Sequence, residues 1–171
     1  MKKTLAAVAA AVVAIPLWGS SAAMAIPPDD PDLIPTCYPN CQGANLQKWT
    51  ANGESMPQGD FSGANLTKAE FQRAKLQGSN FSGINGYKFY LQKANLTGAD
   101  LTNADLSKAN LKKANLTGAD LTGVNLTKVN LKKANLTNAN LTGANTRKAK
   151  FKKATFNNTT CPDGTVTNTG C

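Results

Sequence analysis

Four cysteines are the most reactive side chains in this sequence, and they lie at the two ends of a long repetitive stretch. Cys37 and Cys41 precede the stretch, and Cys161 and Cys171 follow it. Four thiolates can hold zinc, two can act as a redox pair, and in an oxidising compartment they form disulfides. Four cysteines allow three connectivities. Because the sequence has no His and the two pairs are expected far apart, we predict two local disulfides, Cys37–Cys41 and Cys161–Cys171, and neither metal nor cofactor.

Basic residues recur at a spacing of 20 residues across the same stretch. A first column is lysine at all six of its positions: Lys48, Lys68, Lys88, Lys108, Lys128 and Lys148. A second column follows it by five residues and is basic at five of its six: Arg73, Lys93, Lys113, Lys133 and Lys153. A long row of positive charge attracts anionic lipid head groups, acidic polysaccharide or an acidic protein surface.

A period of five residues must position these columns. In LTKVNLKKANLTNANLTGAN, residues 126–145, leucine occupies every fifth position. Five steps turn an α-helix by about 500°, and five steps along a strand reverse the side-chain direction, so neither element buries the leucines together. A chain that turns a corner every five residues points each leucine at one axis. Four such sides close a coil of 20 residues, and we expect coils to stack at ~4.8 Å.

The stretch ANLTGADLTNADLSKANLKKANLTGADL, residues 94–121, closely resembles the A-[D/N]-L-x-x signature of the pentapeptide-repeat proteins. The resemblance covers residues 44 to about 160 and implies an all-β solenoid, a right-handed quadrilateral β-helix of about six coils. It implies little about activity. The family includes acidic, DNA-mimicking proteins that bind topoisomerases, which a chain of net charge +9 does not match. Exported members resembling this chain are common in cyanobacteria, in the periplasm or the thylakoid lumen.

The sequence divides into four segments. Residues 1–25 have the basic start, apolar run and small-x-small ending of a signal peptide, with cleavage expected before Ile26. Residues 26–43 form a Pro-rich acidic lead-in that contains the first cysteine pair. Residues 44–160 carry the repeats, and residues 161–171 form a C-terminal disulfide cap. We therefore expect a soluble exported protein of the periplasm or thylakoid lumen.

The pattern breaks at Gly86. Most residues at every fifth position are Leu, Phe or Met, whereas this one is glycine. Ile84 and Phe89 replace the usual small residues on either side of it, so we expect them to fill the volume that the glycine leaves. Trp49 beside Ala51 suggests the same exchange. In the same segment, Tyr87 and Tyr90 lie at outward positions and are candidate aromatic contacts.

No catalytic grouping emerges from the sequence. It has no His and no glycine-rich phosphate loop, and no free Cys is expected. Asp100 and Asp120 are expected to stack on neighbouring coils with Asp105 round the corner, an arrangement compatible with a carboxylate pair or a weak cation site, but they face outward on a flat surface without a cleft. We predict a non-enzymatic interaction scaffold that binds an acidic protein, anionic lipid or polyanion. Nucleic acid suits the charge but is not expected after export.

A purely structural rod is the alternative. Residues 106–125 and 126–145 are identical at 15 of 20 positions, so coil duplication could have spread the lysines without selection for binding. Assembly through an exposed end coil, including end-to-end self-association, is also compatible with the sequence.

Overall fold

The computed structural model describes residue 35 and residues 37–171. The predicted signal peptide, residues 1–25, and most of the lead-in lie outside the described residues. Within the described part of the chain, no helix is long and apolar enough to cross a membrane.

A parallel bridge every five residues builds the fold. Each bridge joins a residue to the one 20 positions later, from Asn40↔Asp60 to Asn140↔Thr160. Four bridges in every 20 residues give each coil four short sides, which is the quadrilateral β-helix that the period of five predicted. The chain repeats in space every 20 residues, so the residues of each basic column are stacked.

Backbone hydrogen bonding explains the residue types of the repeat. The Leu91 N–H donates to the Asn110 carbonyl of the following coil (2.8 Å), and the Ala94 N–H donates to the Leu91 carbonyl (3.0 Å), which closes a β-turn. A third hydrogen bond of the repeat involves a side chain. On the next side, the Thr97 N–H donates to Asn95 Oδ1 (3.2 Å). We call the inward residue at every fifth position, counted from Leu46, the centre. Where Asn or Asp precedes a centre, its side chain thus accepts from an N–H that the ladder leaves free.

The core consists of the centres and the small residues two places before them. From Leu91 to Leu141 every centre is at most 1% exposed, and the alanines from Ala94 to Ala119 are equally buried. Toward the N-terminal end the core is aromatic. Phe61 stacks on Phe81 of the next coil at a centroid distance of 4.9 Å.

The expected exchange of volume around Gly86 is present. A Cβ on Gly86 would lie only 2.8 Å from Leu106 Cδ2 and 3.4 Å from Ile84 Cδ1. Ile84 and Phe89 are both buried, so they fill the space that a leucine takes elsewhere. Trp49 packs edge-on against Phe71, with ring centroids 5.4 Å apart.

Both cysteine pairs lie at disulfide distance in the predicted local connectivity. The sulfur atoms are 2.09 Å apart in Cys37–Cys41 and 2.06 Å apart in Cys161–Cys171, so all four cysteines are paired. The C-terminal segment forms a small antiparallel pair, β1 (Thr159–Thr160) with β2 (Val166–Thr167). This pair lies at the C-terminal end of the coils.

Candidate functional site

All residues of the two basic columns occupy one backbone position, two places after a centre, as the third residue of the β-turn. Their φ angles lie between 58° and 62°, in the left-handed region that type II turns require there. We call the two columns together the basic edge. They are Lys48, Lys68, Arg73, Lys88, Lys93, Lys108, Lys113, Lys128, Lys133, Lys148 and Lys153.

We number the four sides in chain order, with the first column on the first side and the second column on the second. On the third and fourth sides, the same turn position is mainly glycine or asparagine. Gly78, Gly98 and Gly118 on the third side, for example, have φ angles of 64–65°. A side chain with a Cβ is disfavoured at such an angle by roughly 1–2 kcal/mol, a cost that glycine does not have. The lysines and the arginine of the basic edge therefore occupy turn positions at which the backbone conformation favours glycine.

The side chains of the basic edge reach solvent. Ten of the eleven are exposed, and Lys88 is half-buried. The stacked backbones lie about 4.8 Å apart, and ammonium groups held at that spacing would repel by on the order of 1 kcal/mol per neighbouring pair in water, less with salt or splayed side chains. A bound anion would relieve this repulsion.

Tyr87 links two lysines of the first column. Lys108 Nζ donates a hydrogen bond to the Tyr87 hydroxyl (2.9 Å). The ring also lies close to both cations, with Lys88 Nζ 5.3 Å and Lys108 Nζ 5.0 Å from its centroid. Tyr87 thus holds column residues in place, whereas Tyr90 is 36% exposed on the neighbouring side. A partner contact by either tyrosine remains a prediction.

The link between Tyr87 and Lys108 predicts a measurable titration. The hydrogen bond from Lys108, followed by the charges of Lys108 and Lys88, lowers the pKa of Tyr87 below 10.0 because the phenolate is favoured. Lys108→Gln should raise the pKa of Tyr87 toward the ordinary value. The measurement is the ultraviolet absorbance of the phenolate against pH, with Tyr87→Phe subtracted to isolate this residue. An unchanged midpoint in Lys108→Gln would mean that the contact is absent in solution.

Positive charge is concentrated toward the C-terminal end of the second side. Lys112, Lys132 and Lys152 precede second-column lysines there, whereas Gln72 and Gln92 hold that place nearer the N-terminal end. Between residues 121 and 162 the chain has eight Lys and Arg residues and no Asp or Glu. The additional lysines and this acid-free run give the rod a gradient of charge along its length.

A shallow cavity of about 360 Å³ opens on this face. It is lined by Gln92, Lys93, Asn110, Lys112 and Lys113 from two consecutive coils. Three ammonium groups and two amides, with no carboxylate, form a lining suited to a single anionic group.

The outward carboxylates have structural roles in turns. Asp100 Oδ1 accepts the Thr102 N–H (2.8 Å), and Asp105 Oδ1 accepts the Ser107 N–H (2.9 Å). At Asp60, the hydrogen bond from the Ser62 N–H lowers the pKa of the carboxyl. Among the described residues, no group of three or more Cys, Asp or Glu converges in a way that could hold a metal ion.

Comparison with known proteins identifies the repeat. A family model described as pentapeptide repeats matches eight copies in residues 55–83, 90–127 and 119–158, more than half of the chain. No sequence of curated function matches.

Several solved structures are similar to this chain. One is HetL, a pentapeptide repeat protein involved in heterocyst differentiation regulation from the cyanobacterium Nostoc (30% identity over 75% of this chain and 64% of HetL, TM-score 0.41). Another is a pentapeptide repeat protein from the Arabidopsis thaliana thylakoid lumen (32% identity over 63% of this chain and 65% of that one, TM-score 0.40). The chain therefore spans just under two thirds of the length of these two structures.

Proposed function

We propose, from the premise that this chain belongs to the pentapeptide-repeat family, that it is a non-catalytic scaffold which binds an anionic partner along its basic edge. Members of the family fold as right-handed quadrilateral β-helices and are generally scaffold-like rather than enzymatic. Here the rod comprises about six coils between residues 44 and 160, and its ends are held by the local disulfides Cys37–Cys41 and Cys161–Cys171. The paired cysteines favour an oxidising location, either the periplasm or the thylakoid lumen.

One observation carries the proposal: eleven cations occupy left-handed turn positions on two adjacent sides. Solubility needs surface charge, but it requires neither this backbone position nor segregation to one edge. Duplication explains the likeness of neighbouring coils, yet Lys48, Lys68 and Lys88 lie in the more divergent coils. The partner is an acidic protein surface, an anionic lipid surface or another polyanion.

Replacing the six lysines of the first column by glutamine tests the proposal. Binding to vesicles containing phosphatidylserine and to polyglutamate should weaken by roughly a hundredfold or more, because each cation near an anionic surface contributes about 1 kcal/mol and 1.4 kcal/mol is tenfold. The matched control replaces the same six residues by arginine, which keeps the charge and should keep the binding. Sedimentation with vesicles and fluorescence titration against salt would measure both.

Equal binding by the glutamine variant and the wild type would remove the basic edge as the site. The structural rod would then be favoured, with the lysines as a product of coil duplication.

A further inference from the structure

On two of its four sides, the last coil of the β-helix has no described partner for either of its outward N–H groups, and we call these two sides the open edge. In the coil before it, the Leu126 N–H donates to the Asn145 carbonyl and the Lys128 N–H to the Arg147 carbonyl, both at 2.9 Å. Within residues 37–171, no further coil pairs with the last one on these sides. Among the described residues, no acceptor pairs with the corresponding N–H groups of Thr146, Lys148, Phe151 and Lys153.

The C-terminal cap covers a different part of this end. The Asn158 N–H donates to Asn168 Oδ1 (2.7 Å), and Phe156 beside it is only 8% exposed. Thr146 and Phe151, by contrast, are half-buried centres. At the other end of the rod the first-side centre Leu46 is 1% exposed. Among the described residues, partly exposed centres are therefore a feature of the C-terminal end.

Five cations surround the open edge, and all are exposed. They are Arg147, Lys148, Lys150, Lys152 and Lys153. Phe151 and Ala154, each half-buried, pack against the core in the same segment, and Ala149 is half-buried as well. The surface thus combines unpaired backbone donors, positive charge and a small apolar area.

We propose that residues 146–153 form a docking edge for an acidic segment of a partner protein, which pairs with the two open sides of the last coil and bends at the corner between them. The segment's carbonyls would accept the free N–H groups, as in other cases of strand addition to an open edge. Alternate side chains of an added strand point in opposite directions, so acidic residues can face the cations while small apolar residues rest near Phe151. This inference rests on the proposed scaffold function and assigns a distinct site at one end of the basic edge.

Charge favours such a segment over a second copy of this chain. Pairing two C-terminal ends would bring two sets of five cations together, and juxtaposed like charges oppose association. An acidic strand neutralises one set and completes the ladder.

The test uses a synthetic peptide of alternating Glu and Val and the oxidised protein. Hydrogen exchange followed by NMR should show that the amides of Thr146, Lys148, Phe151 and Lys153 exchange rapidly in the free protein and become protected in the complex. Thr146→Pro removes one donor without changing charge and should weaken peptide binding about three- to tenfold. Lys150→Gln with Lys152→Gln, neither of which belongs to a column, should weaken it about tenfold and reduce its dependence on salt.

A matched variant separates this site from the long edge. Lys48→Gln with Lys68→Gln and Lys88→Gln should weaken vesicle binding and leave the peptide affinity within about twofold. Unchanged amide exchange in the complex, or peptide binding lost only in this matched variant, would overturn the end site while leaving the basic edge intact. Concentration-dependent dimerisation that protects the same amides without peptide would also overturn it, in favour of a second copy.

Discussion

Replacing Gly86 by leucine, the residue that the repeat usually places at a centre, is expected to destabilise the protein by about 1–3 kcal/mol. The reason is space, because a Cβ alone would lie 2.8 Å from Leu106 Cδ2. Ile84 and Phe89 already occupy the remaining volume, and both are fully buried. The free energy of unfolding from urea denaturation measures the effect.

The same position predicts a rescue. Ile84→Ala with Phe89→Ala alone leaves a cavity and should cost several kcal/mol, since each large-to-alanine change in a core costs about 2–5 kcal/mol. Adding Gly86→Leu to this pair restores the usual Ala-x-Leu-x-x-Ala pattern of the repeat. The triple variant should therefore be more stable than the double, although Phe89 also packs against Phe71 at 4.9 Å and that contact is not restored.

Additive effects would contradict this account. If the triple variant were destabilised by the sum of the two separate changes, the large residues at 84 and 89 would not be compensating for the glycine. Residues in contact are expected to couple by about 0.5–3 kcal/mol, so the triple variant should be more stable than the sum of the two separate changes by an amount in this range.

Most of the fold could be predicted from the sequence because a five-residue period admits few backbones. Leucine at the centres and alanine two places earlier define which side chains face inward, and Asn95 or Asp105 before a centre marks the turn. Even the irregular site at Gly86 could be recognised, since volume must be conserved in a packed core. Each inference depended on local spacing alone.

The candidate site was only partly predictable for a physical reason. Lysine has no special preference for positive φ, so Lys108 gave no sign that it lies in the left-handed region. Glycine at Gly98 and Gly118, in the same turn position on another side, was the available signal. The open end at Thr146 and Phe151 depends on where the cap folds, and the contact between Tyr87 and Lys108 depends on side-chain conformations 21 residues apart. Neither follows from spacing.

The backbone position of the columns predicts that binding and stability oppose each other. Lys48→Gly with Lys68→Gly and Lys128→Gly should raise the free energy of unfolding by about 2 kcal/mol in total. Relief of the left-handed strain, roughly 1–2 kcal/mol per residue, exceeds the entropy cost of glycine, roughly 0.5–1 kcal/mol. Binding to phosphatidylserine vesicles should fall by roughly tenfold to a hundredfold, since three cations are lost.

Moving the lysines to the two sides outside the basic edge supplies the matched control. Gly83, Gly98 and Gly118 occupy the same turn position, and a Cβ built on each meets nothing within 4 Å. Introducing lysine at these three positions into the glycine variant restores the net charge and the number of strained turns, so stability should return to near the wild-type value. Binding should stay low, because the cations no longer lie on the basic edge. Restored binding in this variant would show that net charge alone, rather than the columns, attracts the partner.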